Sequence, residues 1–232
     1  EAATLLSGAG NGAALVLLPW IALERTGKAS AAGLLAAATA LPLLVSSLLS
    51  GTIVDRIGRK RTAVGADLLS AASLAAIPIV DLTVGLDLGW LVVLAVIGAV
   101  FDPAGVTARE TMLPAAAGRA GWPLERVNGL HEAIWGVAFI VGPGVGGVLI
   151  AWVGAIDAVW VTTIGFGLSA LFVALLRVPH AAAPVHDEGG PTGVWAGTRD
   201  GLGFVRRDPL LLGITIVSAL LGSHTDALII GV

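Results

Sequence analysis

The chain contains no cysteine and has few charged side chains. The absence of cysteine excludes a disulfide framework and a thiolate metal site. Charged residues make up 12% of the chain, whereas soluble domains carry roughly 25%. Such a chain has too little polar surface to cover a water-exposed sphere, so the sequence is not that of a soluble globular domain.

Long apolar runs fill most of the sequence instead, and hydrophobic residues make up 56% of it. Only helices and closed barrels satisfy their backbone hydrogen bonds in lipid, and a barrel would show strands of ~10 residues with alternating polarity. We therefore predict an all-α polytopic membrane protein. A spanning helix needs ~20 apolar residues, and seven segments of that kind are predicted: Ala2–Leu23, Ala29–Val54, Thr62–Leu82, Leu88–Ala108, Val127–Val153, Val159–Val178 and Leu210–Val232.

The distribution of positive charge orients these spans. If the turn between spans two and three is cytoplasmic, every Lys and Arg except Arg25 and Lys28 falls on the inside. Such a bias is typical of cytoplasmic loops. We therefore expect a multi-pass protein of the cell (inner or plasma) membrane with a cytoplasmic N-terminus.

The spans predict three regions. Residues 1–178 form a six-helix bundle, 179–209 a cytoplasmic linker, and 210–232 the first helix of a second, incomplete bundle. The linker's second half, Trp195–Arg207, suits a helix lying on the inner leaflet, and a solvated linker is the alternative. A polar cluster of small residues precedes apolar residues in spans one and seven, which is typical of transporters built from two parallel halves. We expect five further spans beyond this sequence.

The turn between spans two and three carries an ordered motif: Gly51-x-x-x-Asp55-Arg56-x-Gly58-Arg59-Lys60. Gly51 lets span two end close to a neighbouring helix, and Gly58 permits a positive φ in the turn. Asp55 can cap a helix or pair with Arg59. Any cytoplasmic hairpin can be basic and glycine-containing, but this ordered pattern resembles the signature of the major facilitator superfamily at the same loop.

The resemblance implies a cytoplasmic gate. In the family, the aspartate of this loop engages the second half of the transporter and the arginine contacts an acidic group near the inner end of span four. The matching residues here are Asp55 and Arg59, and the candidate acidic partners are Asp102 and Glu110. Asp102 and also Asp67, in span three, lie at a depth that a loop arginine can reach by snorkelling. The alternative is that both carboxylates anchor helix ends.

A second motif lies in span five: Gly142-Pro143-Gly144-Val145-Gly146-Gly147. Pro143 removes a backbone donor and is expected to bend the helix, and the glycines allow a close helix crossing. The motif resembles the Gly-Pro-x-x-Gly-Gly core associated with antiporters, although Ala138 replaces a glycine often found upstream. Ordinary small-residue packing is the alternative.

Further stretches resemble the macrolide-efflux type of drug exporter. They include Leu15–Trp20, Ala40–Pro42, Thr107–Pro114, Pro123–Asn128 and Gly201–Pro209. The resemblance covers essentially the whole chain. One departure is that span four has no arginine at mid-membrane, where classical drug:proton antiporters carry one.

Polar groups within the spans are candidates for a substrate or proton cavity, because such groups are costly in lipid. Asn11 lies ~14 Å into span one by helix rise, and His224 and Asp226 lie in the equivalent part of span seven. We predict that these three residues face a central cavity and that Asp226 titrates. The alternative for His224 and Asp226 is a position at the outer water interface. His131 and Glu132 are interpreted as residues at the start of a helix.

These observations predict a secondary transporter that works by alternating access and exports amphipathic drugs or antibiotics against inward proton flow. The alternatives are a facilitator or importer of a small solute, and a non-transporting six-helix half that pairs with another subunit. No phosphate loop, metal-ligand motif or nucleophile elbow occurs, so an enzyme and an ATP-driven pump are disfavoured. The expected partners are the bilayer, the substrate and protons, with no cofactor, metal or nucleic acid, and the full-length protein is expected to be a monomer.

Overall fold

Apolar helices account for nearly all of the chain that the structure describes. A computed structural model describes residues 1–176 and 203–217, and no β-strand occurs in those ranges. Eight helices are present in the first range: α1 (Ala2–Thr26), α2 (Ala29–Ile57), α3 (Arg59–Thr83), α4 (Leu88–Val100), α5 (Asp102–Glu110), α6 (Leu113–Ala120), α7 (Leu124–Val153) and α8 (Ala155–Leu175). The all-α prediction is confirmed.

Six helical segments in the described residues are long and apolar enough to cross a membrane, and they coincide with the first six predicted spans. Five are the single helices α1, α2, α3, α7 and α8, and the fourth segment, Leu88–Ala120, contains α4, α5 and α6. Helices α3 and α7 begin three residues earlier than predicted, because polar residues such as Arg59 and Glu125 occupy their first turns.

The fourth segment is broken, where a continuous helix over Leu88–Ala108 was predicted. Helix α4 ends at Val100, and α5 begins at Asp102 with Pro103 in its first turn. Proline has no backbone N–H and its ring clashes with the carbonyl four residues earlier, so the helix cannot continue through it undisturbed. The break places the Asp102 side chain at the start of a new helix in the interior of the span.

The bundle is organised around α1. This helix packs against α7 and α8, while α3 packs against α8 and α5. The largest fully buried side chains include Leu17 and Ile21 of α1 and Phe166 of α8. In contrast, α2 and α7 expose large apolar residues such as Leu41 and Ile140, as expected of helices whose surroundings are not water.

The chain separates into two units, Glu1–Val185 and His186–Val232. In the second unit, residues 203–207 and 209–217 are helical. The Asp208 carboxylate accepts hydrogen bonds from the backbone N–H groups of Leu210 and Leu211, at 2.9 and 3.3 Å. Asp208 therefore caps the helix that opens the predicted seventh span. The predicted interfacial helix falls largely on residues outside the described ranges, as does the remainder of span seven.

Candidate functional site

The turn between α2 and α3 is tight and depends on glycine. Gly58 separates the two helices with a φ of 94°, a region that side chains with a Cβ rarely adopt. This is the positive φ that the motif was predicted to need. A Cβ atom at Gly51 would have no neighbour within 4 Å among the described residues, so no close helix approach is seen there.

The charged residues of this turn lie near the surface of the bundle. Asp55 and Arg56 are exposed, and Arg59 is partly buried. Lys60 donates a hydrogen bond from Nζ to the carbonyl oxygen of Leu176, at 2.9 Å. The turn is thereby tied to the end of α8.

The predicted gate pairing is not formed in this structure. Within residues 1–176 and 203–217, Arg59 makes no ion pair with Asp102 or Glu110. Glu110 is exposed, and Asp102 contacts a different helix. A gate role for Asp55 and Arg59 stays a prediction.

The glycine motif of α7 has one face packed against α1 and one face open. A Cβ atom at Gly142 would lie 2.7 Å from the carbonyl oxygen of Ala9, and one at Gly146 would lie 3.1 Å from that of Ala13. At Gly144 and Gly147 a Cβ would meet nothing within 4 Å among the described residues. Only the first and third glycines of the motif are therefore needed for the crossing with α1.

Pro143 contributes to the same crossing. A Cβ atom at Gly12 would lie 2.9 Å from Cδ of Pro143 and 3.1 Å from Cα of Gly142. Helix α7 runs unbroken from Leu124 to Val153 through this proline. Backbone-to-backbone contact of this kind is typical of small-residue helix interfaces in membranes.

A buried ion pair contacts α1 one helical turn closer to its N-terminus than this crossing. Arg109 of α5 donates from Nη1 to Oδ1 of Asp67 of α3, at 2.9 Å. The two residues are 5% and 1% exposed. Ser7 of α1 donates to the same carboxylate oxygen at 3.0 Å and accepts from Nη2 of Arg109 at 3.0 Å. Ser169 of α8 donates to Oδ2 of Asp67 at 2.6 Å.

This cluster joins four helices through one carboxylate. Both oxygens of Asp67 are occupied, and one partner is a guanidinium that can only donate. A buried pair holds its charges when the geometry is good and the remaining hydrogen-bonding capacity is satisfied. We conclude that Asp67 links α1, α3, α5 and α8 in this conformation.

Arg109, Ser7 and Ser169 were not among the predicted site residues. Arg109 was assigned to the cytoplasmic side because the predicted span ended at Ala108. A signal was present, since Asp67 in an apolar span requires a cationic or hydrogen-bonding partner. Hydropathy alone does not name that partner, which lies on another helix.

A second intramembrane carboxylate contacts α1 one turn further along. Asn11 donates a hydrogen bond from Nδ2 to Oδ1 of Asp102, at 2.9 Å. Both side chains are partly exposed. Asn11 thus lies inside the bundle, and its contact is with a residue that the sequence assigned to the gate.

The remaining candidates lie elsewhere. His224 and Asp226 fall outside the described residues. His131 is buried and, with Glu110 and Glu132, lines a cavity of about 320 Å³ at the start of α7; its Nδ1 lies 3.4 Å from a carboxylate oxygen of Glu1. Among the described residues, no group of three His, Asp or Glu side chains could hold a metal ion.

Comparison with known proteins gives the family. The model of the Major Facilitator Superfamily matches residues 2–230. The chain belongs to the major facilitator superfamily. It is 48% identical to the multidrug efflux pump Tap of Mycolicibacterium fortuitum over 219 residues, which is 93% of the chain and 53% of that protein.

Other members of the superfamily are also similar. Tap of Mycobacterium tuberculosis is 48% identical over 206 residues, covering 88% of this chain and 49% of that pump. Macrolide efflux protein A of Streptococcus pyogenes is 28% identical over 162 residues, covering 67% of the chain and 38% of that protein. This major facilitator chain is thus a multi-pass membrane protein of a transporter family, and it spans about half the length of the curated relatives it matches.

Proposed function

We propose that this major facilitator protein is a secondary active transporter that exports amphipathic drugs in exchange for protons. The similarity to two pumps named for multidrug efflux, extending over about nine tenths of the chain, carries the proposal. The chain also resembles a protein named for macrolide efflux. The proposed substrates are therefore drugs or antibiotics.

The architecture of the bundle fits transport by alternating access. A rocking mechanism needs helices that move as rigid bodies, and α1 is held closely against α7 and α8, where its glycines contact Ala138, Pro143 and Phe166. In this proposal residues 1–178 form the first half, 179–209 the linker and 210–232 the first helix of the second half. The N-terminus and the Gly51–Arg61 turn are cytoplasmic.

The gate and the cavity have separate residues in this proposal. Asp55, Arg56, Gly58, Arg59 and Lys60 belong to the cytoplasmic gate. Asn11, His224 and Asp226 stay the residues that the sequence predicts to face the substrate cavity, and the last two lie outside the described residues.

Transport in proteoliposomes tests the function. The protein is expressed from its complete coding sequence, reconstituted and loaded with ethidium, a fluorescent lipophilic cation. An imposed pH gradient should drive ethidium against its own concentration gradient, and a protonophore should abolish that movement.

Two results contradict the proposal. Downhill uptake of a small polar solute that ignores the pH gradient would make the protein a facilitator. The absence of any transport, with uptake restored by adding a second membrane subunit, would make this chain a half that works only with a partner.

A further inference from the structure

Two carboxylates lie in the interior of the spans, and they have very different surroundings. Asp67 is 1% exposed and receives hydrogen bonds from Arg109, Ser7 and Ser169. Asp102 is partly exposed and, among the described residues, accepts a single hydrogen bond, from the amide of Asn11. Asp67 is paired with a cation. Asp102 has a neutral partner and, among the described residues, one carboxylate oxygen without a hydrogen bond.

The depth of Asp102 follows from its partner. Asn11 lies twelve residues before Leu23, the last apolar residue of α1, which at 1.5 Å per residue is roughly 18 Å. That is a little more than half of the ~30 Å hydrocarbon thickness. Because Asp102 lies 2.9 Å from Asn11, its carboxylate is also near the middle of the membrane.

From these observations we infer that Asp102 is the group that binds and releases the coupling proton, and that Asn11 is its positioning residue. The inference rests on the proposed function, and it moves Asp102 from the gate to the coupling step. A proton from water on the outer side of the membrane binds to a carboxylate oxygen of Asp102, and it then returns to water on the inner side.

Asn11 is suited to both states of this acid. An amide carries two donors and one acceptor oxygen, so it donates to the carboxylate and, after rotation of its amide group, accepts from the protonated acid. Arg109 cannot do this for Asp67, because a guanidinium has no acceptor. A proton can therefore come and go at Asp102 without leaving a buried partner unsatisfied.

The charged groups around Asp102 are also known. Arg109 lies on the same helix, and Asp67 lies on α3, which packs against α5. Helix α2 also packs against α5, and its charged residues, Asp55 and Arg56, are confined to its exposed last turn. From α1 the facing group is the neutral Asn11. Arg109 is paired with Asp67, and among the described residues no cation forms an ion pair with Asp102.

The contact also favours a proton over a metal ion. A hard cation is bound by several oxygen ligands. Among the described residues, Asn11 is the hydrogen-bond partner of Asp102, and the two side chains together offer fewer oxygen ligands than such a cation requires. The site is therefore of the right kind for hydrogen-bond chemistry.

The experiment measures proton movement and substrate movement separately. The protein expressed from its complete coding sequence is reconstituted with the pH indicator pyranine in the lumen, and ethidium is added outside. Ethidium-dependent proton flux is recorded first, and exchange of ethidium between equal concentrations on both sides is recorded second. Asp102→Asn should lose the proton flux and keep the exchange, because the amide preserves the contact with Asn11 but does not titrate.

The matched controls are chosen from the same chain. Asp157→Asn removes an exposed carboxylate in the first turn of α8 and should leave both signals unchanged. Asp102→Glu, which restores a carboxyl, should recover part of the proton flux. Asn11→Ala should keep the flux but displace its pH profile by about one unit, since a hydrogen bond to a charged group is worth that much.

The outcomes separate this inference from the proposed function. Normal proton flux in Asp102→Asn would overturn the inference and leave the proposed function standing. Loss of both flux and exchange in a correctly folded variant would also overturn it, because Asp102 would then serve the structure or the substrate. If the unmodified protein shows no ethidium-dependent proton flux, both the proposed function and the inference fail.

Discussion

Ser7 and Asn11 lie one turn apart on α1, and the acids they contact differ in exposure and in the charge of their partners. Ser7 belongs to a closed cluster in which Asp67 is buried and paired with Arg109. Asn11 belongs to an open contact with a partly exposed Asp102. The comparison indicates that the turn containing Ser7 stabilises the bundle, whereas the turn containing Asn11 can respond to changes around Asp102.

Removing the cation should have the largest effect. Arg109→Met leaves Asp67 buried without its countercharge, and breaking one side of a buried pair costs about 3–5 kcal/mol. Thermal unfolding in detergent should show a large loss of stability relative to Arg61→Met, which removes an exposed arginine. Equal stability of the two variants would mean that the closed cluster contributes nothing to folding.

The crossing of α1 and α7 comes next. Gly142→Ala would place a methyl group 2.7 Å from the carbonyl oxygen of Ala9, and overpacking of this kind costs about 1–3 kcal/mol. Gly144→Ala, on the open face, should be neutral or slightly stabilising in the same unfolding measurement. If the two alanine substitutions reduce stability equally, the contact between α1 and α7 does not hold α1 in place. The turns that contain Ser7 and Asn11 are then free to move together.

Ser169→Ala tests how much the hydrogen bond from Ser169 contributes to the closed cluster. It removes the hydrogen bond to Oδ2 of Asp67 and should cost about 1 kcal/mol, the lower end of the range for an unsatisfied buried acceptor. Asn11→Ala should cost less, because the Asp102 carboxylate is only partly buried. A larger loss of stability in Asn11→Ala than in Ser169→Ala, measured by unfolding of both variants, would contradict the difference between the two turns.

The smallest effect is expected at the open contact. Asp102→Asn should change stability by less than about 1 kcal/mol, since the amide still pairs with Asn11. Asp67→Asn should be clearly more destabilising, because it leaves Arg109 buried and unpaired. Unfolding of these two variants side by side is the most direct check of the comparison, and similar losses would show that both acids are structural.

The spans could be predicted because their apolar runs are long and separated by charged turns. Positive φ at Gly58 also followed from the sequence, since a tight hairpin between helices calls for glycine. The break in the fourth span was visible in principle, as Asp102-Pro103 interrupts an apolar run, but a hydropathy average conceals a single proline.

The polar contacts could not be predicted in the same way. Asp67 and Arg109 are 42 residues apart, and their pairing depends on how α3 and α5 are rotated about their axes. Asn11 was predicted to face the interior, but its partner Asp102 was assigned to Arg59 by resemblance. Which glycines of α7 touch α1 likewise depends on rotation, because Gly142 and Gly146 share a face that the motif alone does not orient.

The ion pair between Asp67 and Arg109 also bears on how the chain enters the membrane during synthesis. An isolated span pays about 2.5–3.5 kcal/mol for each such charge near its centre, so neither α3 nor α5 is well suited to move into lipid alone. The segment that joins α3 to α4, the first helix of the fourth span, is short, from Val84 to Asp87. We expect the third and fourth spans to leave the translocon as one hairpin, with the salt bridge formed before either helix meets lipid on all sides.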